Sequence, residues 1–233
     1  MEQALKVTSV LSDPTRFYIY QYISKKHDDV TVQEIADNFN IHPNVARLHL
    51  TKLEDVSMLL SDTKKTGKGG RPSRLYRLSN EVIQLQFPFR DYQLLSQVAL
   101  ESLLQLGEAG KQALFETGKK FGKELMSRYL HRLEITEDKL SLADKINIAK
   151  DAFTTAGLTP EFEINESENK VYYQVYNCPF KEISPEHYDD VCNMHGEMMN
   201  GIFETLFSEF ELDRKEDILR GCKACEYKLQ VHQ

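Results

Sequence analysis

The stretch that decides the fold is VTVQEIADNFNIHPNVARLHLTKLEDVSML, residues 30–59. Thr31 precedes a short apolar-periodic run, Val32 to Phe39, and its hydroxyl can cap that helix by accepting from the backbone N–H three residues on. Glu34 at that position completes a capping-box pattern. NFNIHP reads as a tight turn. Pro43 then opens a second helix running to about Ser57, because the N–H it lacks is one that a first helical turn leaves unbonded anyway. On a helical wheel Val45, Ala46, Leu50, Leu53 and Val56 point one way, and Asn44, Arg47, Thr51 and Glu54 the other. Two helices joined in this way form a helix-turn-helix, whose second helix can lie in a major groove and present Asn44, Arg47 and Thr51 to DNA. His49 falls on the apolar side and reads as a packed histidine.

The flanking segments agree. Residues 2–12 read as a helix. In LSDPTRFYIYQYISKK, residues 11–26, Asp13 is an N-cap, Pro14 sits at the first helical position, and Phe17, Ile19, Tyr20 and Ile23 form an apolar face. Downstream, LLSDTKKTGKGGRPSRLYRLS, residues 59–79, places Leu59 and Leu60 in one strand and Leu75, Tyr76 and Leu78 in its partner. The Gly-rich tip between them carries Lys64, Lys65, Lys68, Arg71 and Arg74. Cations on such a wing can displace the counterions condensed on a phosphate backbone. Charge is distributed to match: the whole chain carries −7, but residues 42–77 hold eight basic and three acidic residues, a local +5. One part of the chain is therefore suited to a polyanion.

LSDPTRFYIYQYI, VARLHLTKLE and GRPSRLYRLS together resemble the ArsR-like winged-helix transcriptional regulators of bacteria and archaea, over about residues 1–80. The resemblance implies a homodimer in which two recognition helices read a pseudo-palindromic double-stranded DNA operator.

Beyond residue 80 the pattern changes. FPFRDYQLL, residues 87–95, reads as a connector entering a helix. Helices are predicted over 91–106, with Leu94, Leu95, Val98, Leu103 and Leu104, and over about 108–134, with Leu114, Phe115, Phe121, Leu125, Tyr129 and Leu133. They are expected to carry the dimer interface, the alternative being packing within the domain alone. Residues 141–157 read as another helix; EFEIN and KVYYQVYNCPF, 161–165 and 170–180, as a hairpin; 185–210 as a helix with Val191, Met194, Met198, Ile202, Leu206 and Phe210 buried; and EDILRG and ACEYKLQV as two last strands. The expected fold class is α+β. A winged helix-turn-helix occupies 1–80, a connector and dimerisation segment 81–135, and a C-terminal α+β sensor domain with a small antiparallel sheet 136–233.

That last domain holds all four cysteines of the chain: Cys178, Cys192, Cys222 and Cys225. No apolar run approaches a membrane span and no signal-peptide pattern opens the chain, so a cytoplasmic protein is expected. There, clustered thiols are more often metal-binding or redox-active than disulfide-bonded. Four thiolates satisfy an iron–sulfur cluster or tetrahedral zinc, and His195, three residues after Cys192, is a reserve ligand. A thiol switch, or plain burial, is the third reading. FPFRDY, YNCPF, DVCNMHGEMMNGIF and RGCKACEYKL are similar to the SufR-like iron–sulfur-sensing subgroup of these regulators, which implies a cluster controlling operator binding. Cys178, Cys192 and Cys225 match its pattern. Cys222 departs from it, since the subgroup's remaining ligand lies upstream, near Phe210 here. A small-molecule sensor, with Phe162, Tyr172, Tyr173 and Phe203 lining a pocket, is a further alternative. Neither G-x-S-x-G, Walker A, a Rossmann fingerprint nor H-E-x-x-H occurs, so no enzyme is expected.

Overall fold

The computed structural model describes residues 2–64, 73–134, 140–182 and 185–232. They form two compact units, residues 1–90 and 91–233. The fold is α+β: an N-terminal helix-turn-helix unit followed by a helical and antiparallel-sheet unit.

In the first unit, α1 (Glu2–Leu11) and α2 (Pro14–Lys26) are separated by Asp13, whose side chain accepts from the Arg16 N–H at 3.0 Å. Strand β1 (Val30–Thr31) leads into α3 (Val32–Phe39), capped by Thr31. The cap is half of the expected box, because the Glu34 carboxylate turns instead to the Tyr22 hydroxyl and Lys26. Asn40, at φ 51°, ends α3 in the left-handed region, which asparagine tolerates better than most residues. Helix α4 (Pro43–Glu54) follows, with the His42 ring capping Asn44 N–H at 3.2 Å. Strands β2 (Leu59–Lys64) and β3 (Ser73–Leu78) pair antiparallel, and β1 adds to the other edge of β3. Ile19, Ile23, Ile35, Leu50, Leu53, Leu59 and Tyr76 fill the core between helices and sheet.

The second unit begins with α5 (Tyr92–Leu104) and the long α6 (Glu108–Leu133), then α7 (Leu142–Thr155), which Ser141 and Asp144 start with a full capping box. A four-stranded antiparallel sheet in the order β4-β5-β7-β6 is built from β4 (Pro160–Asn165), β5 (Lys170–Val175), β6 (Phe210–Glu216) and β7 (Cys225–Val231). Helix α8 (Tyr188–Leu206) lies between β5 and β6 in sequence. One sheet face packs on α7 and α8 through an aromatic core. Tyr173 stacks on its register partner Tyr227 at 4.8 Å, and Phe153 meets Phe203 edge-on at 5.7 Å.

Several boundaries differ from the sequence reading; the second helix of the helix-turn-helix, expected to about Ser57, ends at Glu54. β5 ends at Val175, so Cys178 stands in a loop; α8 ends at Leu206, so Phe210 opens a strand; and the strand expected over 216–221 is a tight turn, its place taken by FELDRKE. An edge strand is commonly rich in charge, which blunts its open hydrogen-bonding edge and also removes the apolar alternation that would announce it.

The closest helix packing in this unit joins α6 to α8. A Cβ on Gly118 would meet the Met194 carbonyl oxygen at 2.7 Å, one on Gly122 would overlap the Met198 carbonyl, and one on Gly201 the Lys119 carbonyl. The helices run in the same direction, with backbone against backbone. Ion pairs bracket the contact: Lys111 with Asp190 at 3.1 Å, and Lys123 and Lys119 with Glu204. Gly122→Ala should therefore lower unfolding free energy by about 1–3 kcal/mol or more through overpacking. Gly196→Ala, on the same α8 with nothing within 4 Å of the added carbon, should be neutral or stabilising by about 0.5–1 kcal/mol. Urea denaturation of the two variants checks the contrast.

Candidate nucleic-acid interface and thiol site

Helix α4 buries Ala46, His49, Leu50 and Leu53 and turns Asn44 and Arg47 to solvent, with Thr51 half-buried. His49 is packed as expected; burial holds its imidazole below the ordinary histidine range. Val45, expected on the apolar side, is exposed instead, because it lies at the margin of the wheel. Leu48, which the sequence reading passed over, is also exposed. Helical periodicity alone places it beside Asn44 and Thr51, so the signal for its exposure is present in the sequence.

Of the wing cations, Lys65, Lys68 and Arg71 lie outside the described residues, and Lys64 closes β2. Arg74 is engaged within the protein. Its guanidinium donates to both Glu54 oxygens at 2.8 and 2.9 Å and to Ser61 at 2.7 Å, and it lies over the Tyr76 ring at 5.4 Å. Glu54 is the last residue of α4, so this fork fastens the wing strands to the recognition helix.

The four cysteines come from four places and converge on one end of the larger sheet. Cys225 is the first residue of β7, opposite Val175, the last residue of β5. Cys178 follows three residues after Val175, and Cys192 projects from the second turn of α8. Cys222 lies in the turn before β7. Buried Asp217 organises that turn: its carboxylate accepts from the Arg220 N–H at 2.8 Å and its carbonyl from the Cys222 N–H at 3.4 Å. The Ile218 N–H donates to Cys225 Sγ at 3.3 Å. Cys178 Sγ stands 3.8 Å from His195 Nδ1, with the Phe180 ring edge-on to the imidazole at 5.0 Å.

All four are free thiols. Burial pushes Cys178 up to about 11, with the Cys225 and Cys192 sulfurs adding to the rise. Cys192 and Cys225 are raised by burial and then by neighbouring acidic and thiol groups, and Cys222 by desolvation and Glu216. Burial lowers His195 to about 4, so its ring is neutral at neutral pH. The thiols thus lie close enough to oppose one another's ionisation, a bias that a bound cation reverses. Among the described residues no group of three or more His, Cys, Asp or Glu is already gathered as a metal site. A chelate therefore needs side-chain rotation, and Cys192 has room for it: it borders clefts of about 470 Å³ and about 300 Å³.

Of the aromatic residues considered for a small-molecule pocket, Phe162, Tyr172 and Tyr173 border one cleft of about 270 Å³, and Phe203 does not. Tyr173 and Phe203 are fully buried core, Phe162 stacks on Tyr173, and Tyr172 faces the opposite side.

Residues 11–61 match the family described as Helix-turn-helix domain, so the chain carries a DNA-binding regulator's module. No curated protein matches the chain. Among solved structures, it is similar to trafficking protein particle complex subunit 3 from Naegleria fowleri, covalently bound to palmitic acid, at TM-score 0.48 and 16% identity, covering 61% of this chain and 93% of that one. It is also similar to the phenol-responsive sensory domain of the transcription activator PoxR with phenol, at TM-score 0.45 and 13% identity, covering 79% and 89%. Among the described residues no helix is long and apolar enough to cross a membrane.

Arg47 is exposed on the helix that this module uses for reading bases, where a guanidinium can bond a guanine edge through two N–H groups. Arg47→Ala should cost about 1–3 kcal/mol of binding to a selected duplex and relax the preferred sequence. Titrations on the selected duplex and on single-base variants of it measure both.

Proposed function

We propose that the protein is a homodimeric transcriptional regulator whose operator binding is set by a metal centre on Cys178, Cys192, Cys222 and Cys225, with His195 in reserve. The observation that carries the metal reading is the Cys178–His195 pair. Its 3.8 Å separation is close to the edge of a tetrahedron built on zinc, about 3.6 Å from typical Zn–S and Zn–N lengths. Cys225, at the start of the strand paired with β5, and Cys192, one helical turn before His195, would be the further donors. This spacing supports zinc, while the similarity of the cysteine segments to SufR-like proteins supports an iron–sulfur cluster on the same thiols. In either case the bound group would supply a positive charge that holds deprotonated sulfurs together.

The chain's own residues would carry the signal. Cys192 and His195 ride on α8, which is locked to α6 by glycine contacts. Helix α5, joined to α6 by a short turn, has no buried residue, and its Leu94, Leu95 and Val98 are 55%, 63% and 54% exposed. Apolar surface of this kind needs a cover, and a second copy of the chain supplies one through a two-fold contact. Ordering of the thiol end would then bias α8, α6 and the pairing of two copies. We assign the protein no catalytic step. An operator as partner places its work where the genome is, in the cytoplasm of a prokaryotic cell.

Elemental analysis and absorption spectra of protein purified without oxygen test the site. Zinc in a colourless preparation supports the tetrahedral ion; a brown preparation containing iron supports the cluster. Cys178→Ser and Cys225→Ser should each abolish loading and alter operator affinity, whereas full metal content in both variants would remove the shared site. Because the thiols are protonated before binding, each coordinated sulfur releases a proton. Apparent zinc affinity should therefore rise by about tenfold per pH unit for every proton released between pH 6 and 8, as competition with a chelator of known affinity would show.

A further inference from the structure

The outward face of α4 contains two apolar side chains among its polar ones: Val45, 41% exposed, and Leu48, 55% exposed. On a helix surface the neighbours of a residue are three and four positions away. For Leu48 these are Asn44, Val45, Thr51 and Lys52. Leu48 thus sits in the middle of the strip that carries the base-reading candidates, while Ala46, His49, Leu50 and Leu53 are buried on the opposite side. A single exposed leucine on an ordinary surface helix asks for no explanation. An adjacent valine–leucine pair at the centre of a base-facing strip does, because there it must lose water against something.

In the major groove the base edges offer hydrogen-bond donors and acceptors and one apolar group, the C5-methyl of thymine. Only that group compensates an apolar side chain for the polar partners it displaces. Resting on the reading of α4 as the recognition helix, we infer that Val45 and Leu48 read thymine methyl groups. Each operator half-site then carries T·A pairs next to the position met by Arg47. The first two turns of the recognition helix meet the base edges in this architecture, and both residues belong to those turns. Leu48 and Val45 select by shape where Arg47 and Asn44 select by hydrogen bonds.

The test begins with selection of duplexes from a randomised pool by the intact protein. The preferred duplex is then rebuilt with deoxyuridine in place of thymine, one position at a time. This removes a methyl group and leaves the Watson–Crick partners in place. The wild-type protein should lose about fourfold in affinity at one or two positions per half-site, the transfer free energy of about one buried methylene. Leu48→Ala or Val45→Ala should bind the thymine duplex more weakly and show no further loss with deoxyuridine at the corresponding position. Equal binding of thymine and deoxyuridine duplexes by the wild type, or an undiminished methyl effect in both variants, would overturn the inference. The wild-type arm decides even if a variant folds poorly. Dissociation of the homodimer by Leu48→Ala in sedimentation would also overturn it, since the leucine would then pack a second chain. If no duplex is enriched at all, the DNA-reading role of α4 fails; if one is enriched without methyl dependence, this inference alone fails.

Discussion

The glycine contact between α6 and α8 is the constraint on which the second unit depends. Two helices can bring their carbonyls this close only where neither carries a Cβ at the crossing, and Gly118, Gly122 and Gly201 meet that condition. The approach leaves no side-chain layer to absorb small displacements. Packed interiors respond to strain by discrete shifts rather than by gradual deformation. A change at the α8 residues Cys192 or His195 would therefore be passed to α6 as movement of a rigid pair. The Lys111–Asp190 pair and the two lysines on Glu204 oppose sliding along the common axis.

The same region shows why part of the fold could be read from sequence and part could not. Thr31, Asn40 and Pro43 punctuate the helix-turn-helix locally, and each does in the structure what its chemistry dictates. Gly118 and Gly122 carry no such local message. Within α6 they look like weak points, and only the partner helix, some eighty residues on, explains them. Strand β6 was hidden for a different reason. FELDRKE lies at a sheet edge, where charge is favoured, so its sequence looks like a surface loop. β5 was overextended because YNCPF continues the aromatic run of the strand past the last ladder pair at Val175.

At the candidate sites, residue type was legible and partnership was not. Four thiols in one quarter of the chain announced a thiol-rich site, yet that Cys178 faces His195, and that Asp217 folds the turn bearing Cys222, depends on tertiary placement. On α4 the candidate base readers Asn44, Arg47 and Thr51 were singled out by their polarity. Val45 was placed with the core-facing residues because it is apolar, and Leu48 was not assigned to either face. Arg74 was counted with the wing cations by its charge, whereas its geometry makes it a strut between wing and helix.

In the homodimer proposed above, that strut bears on operator architecture. Glu54, Ser61 and Arg74 join the end of α4 to both strands of the hairpin, so helix and wing turn together as one reading head. A head of this kind cannot compensate for a change in helical phase by flexing one contact while keeping the other. Each base pair inserted between half-sites rotates one of them by about 34–36° around the duplex axis, from the 10–10.5 base pairs of a turn. In the proposed homodimer, spacer length would thus become part of the recognised message, and correct half-sites in the wrong phase would be excluded.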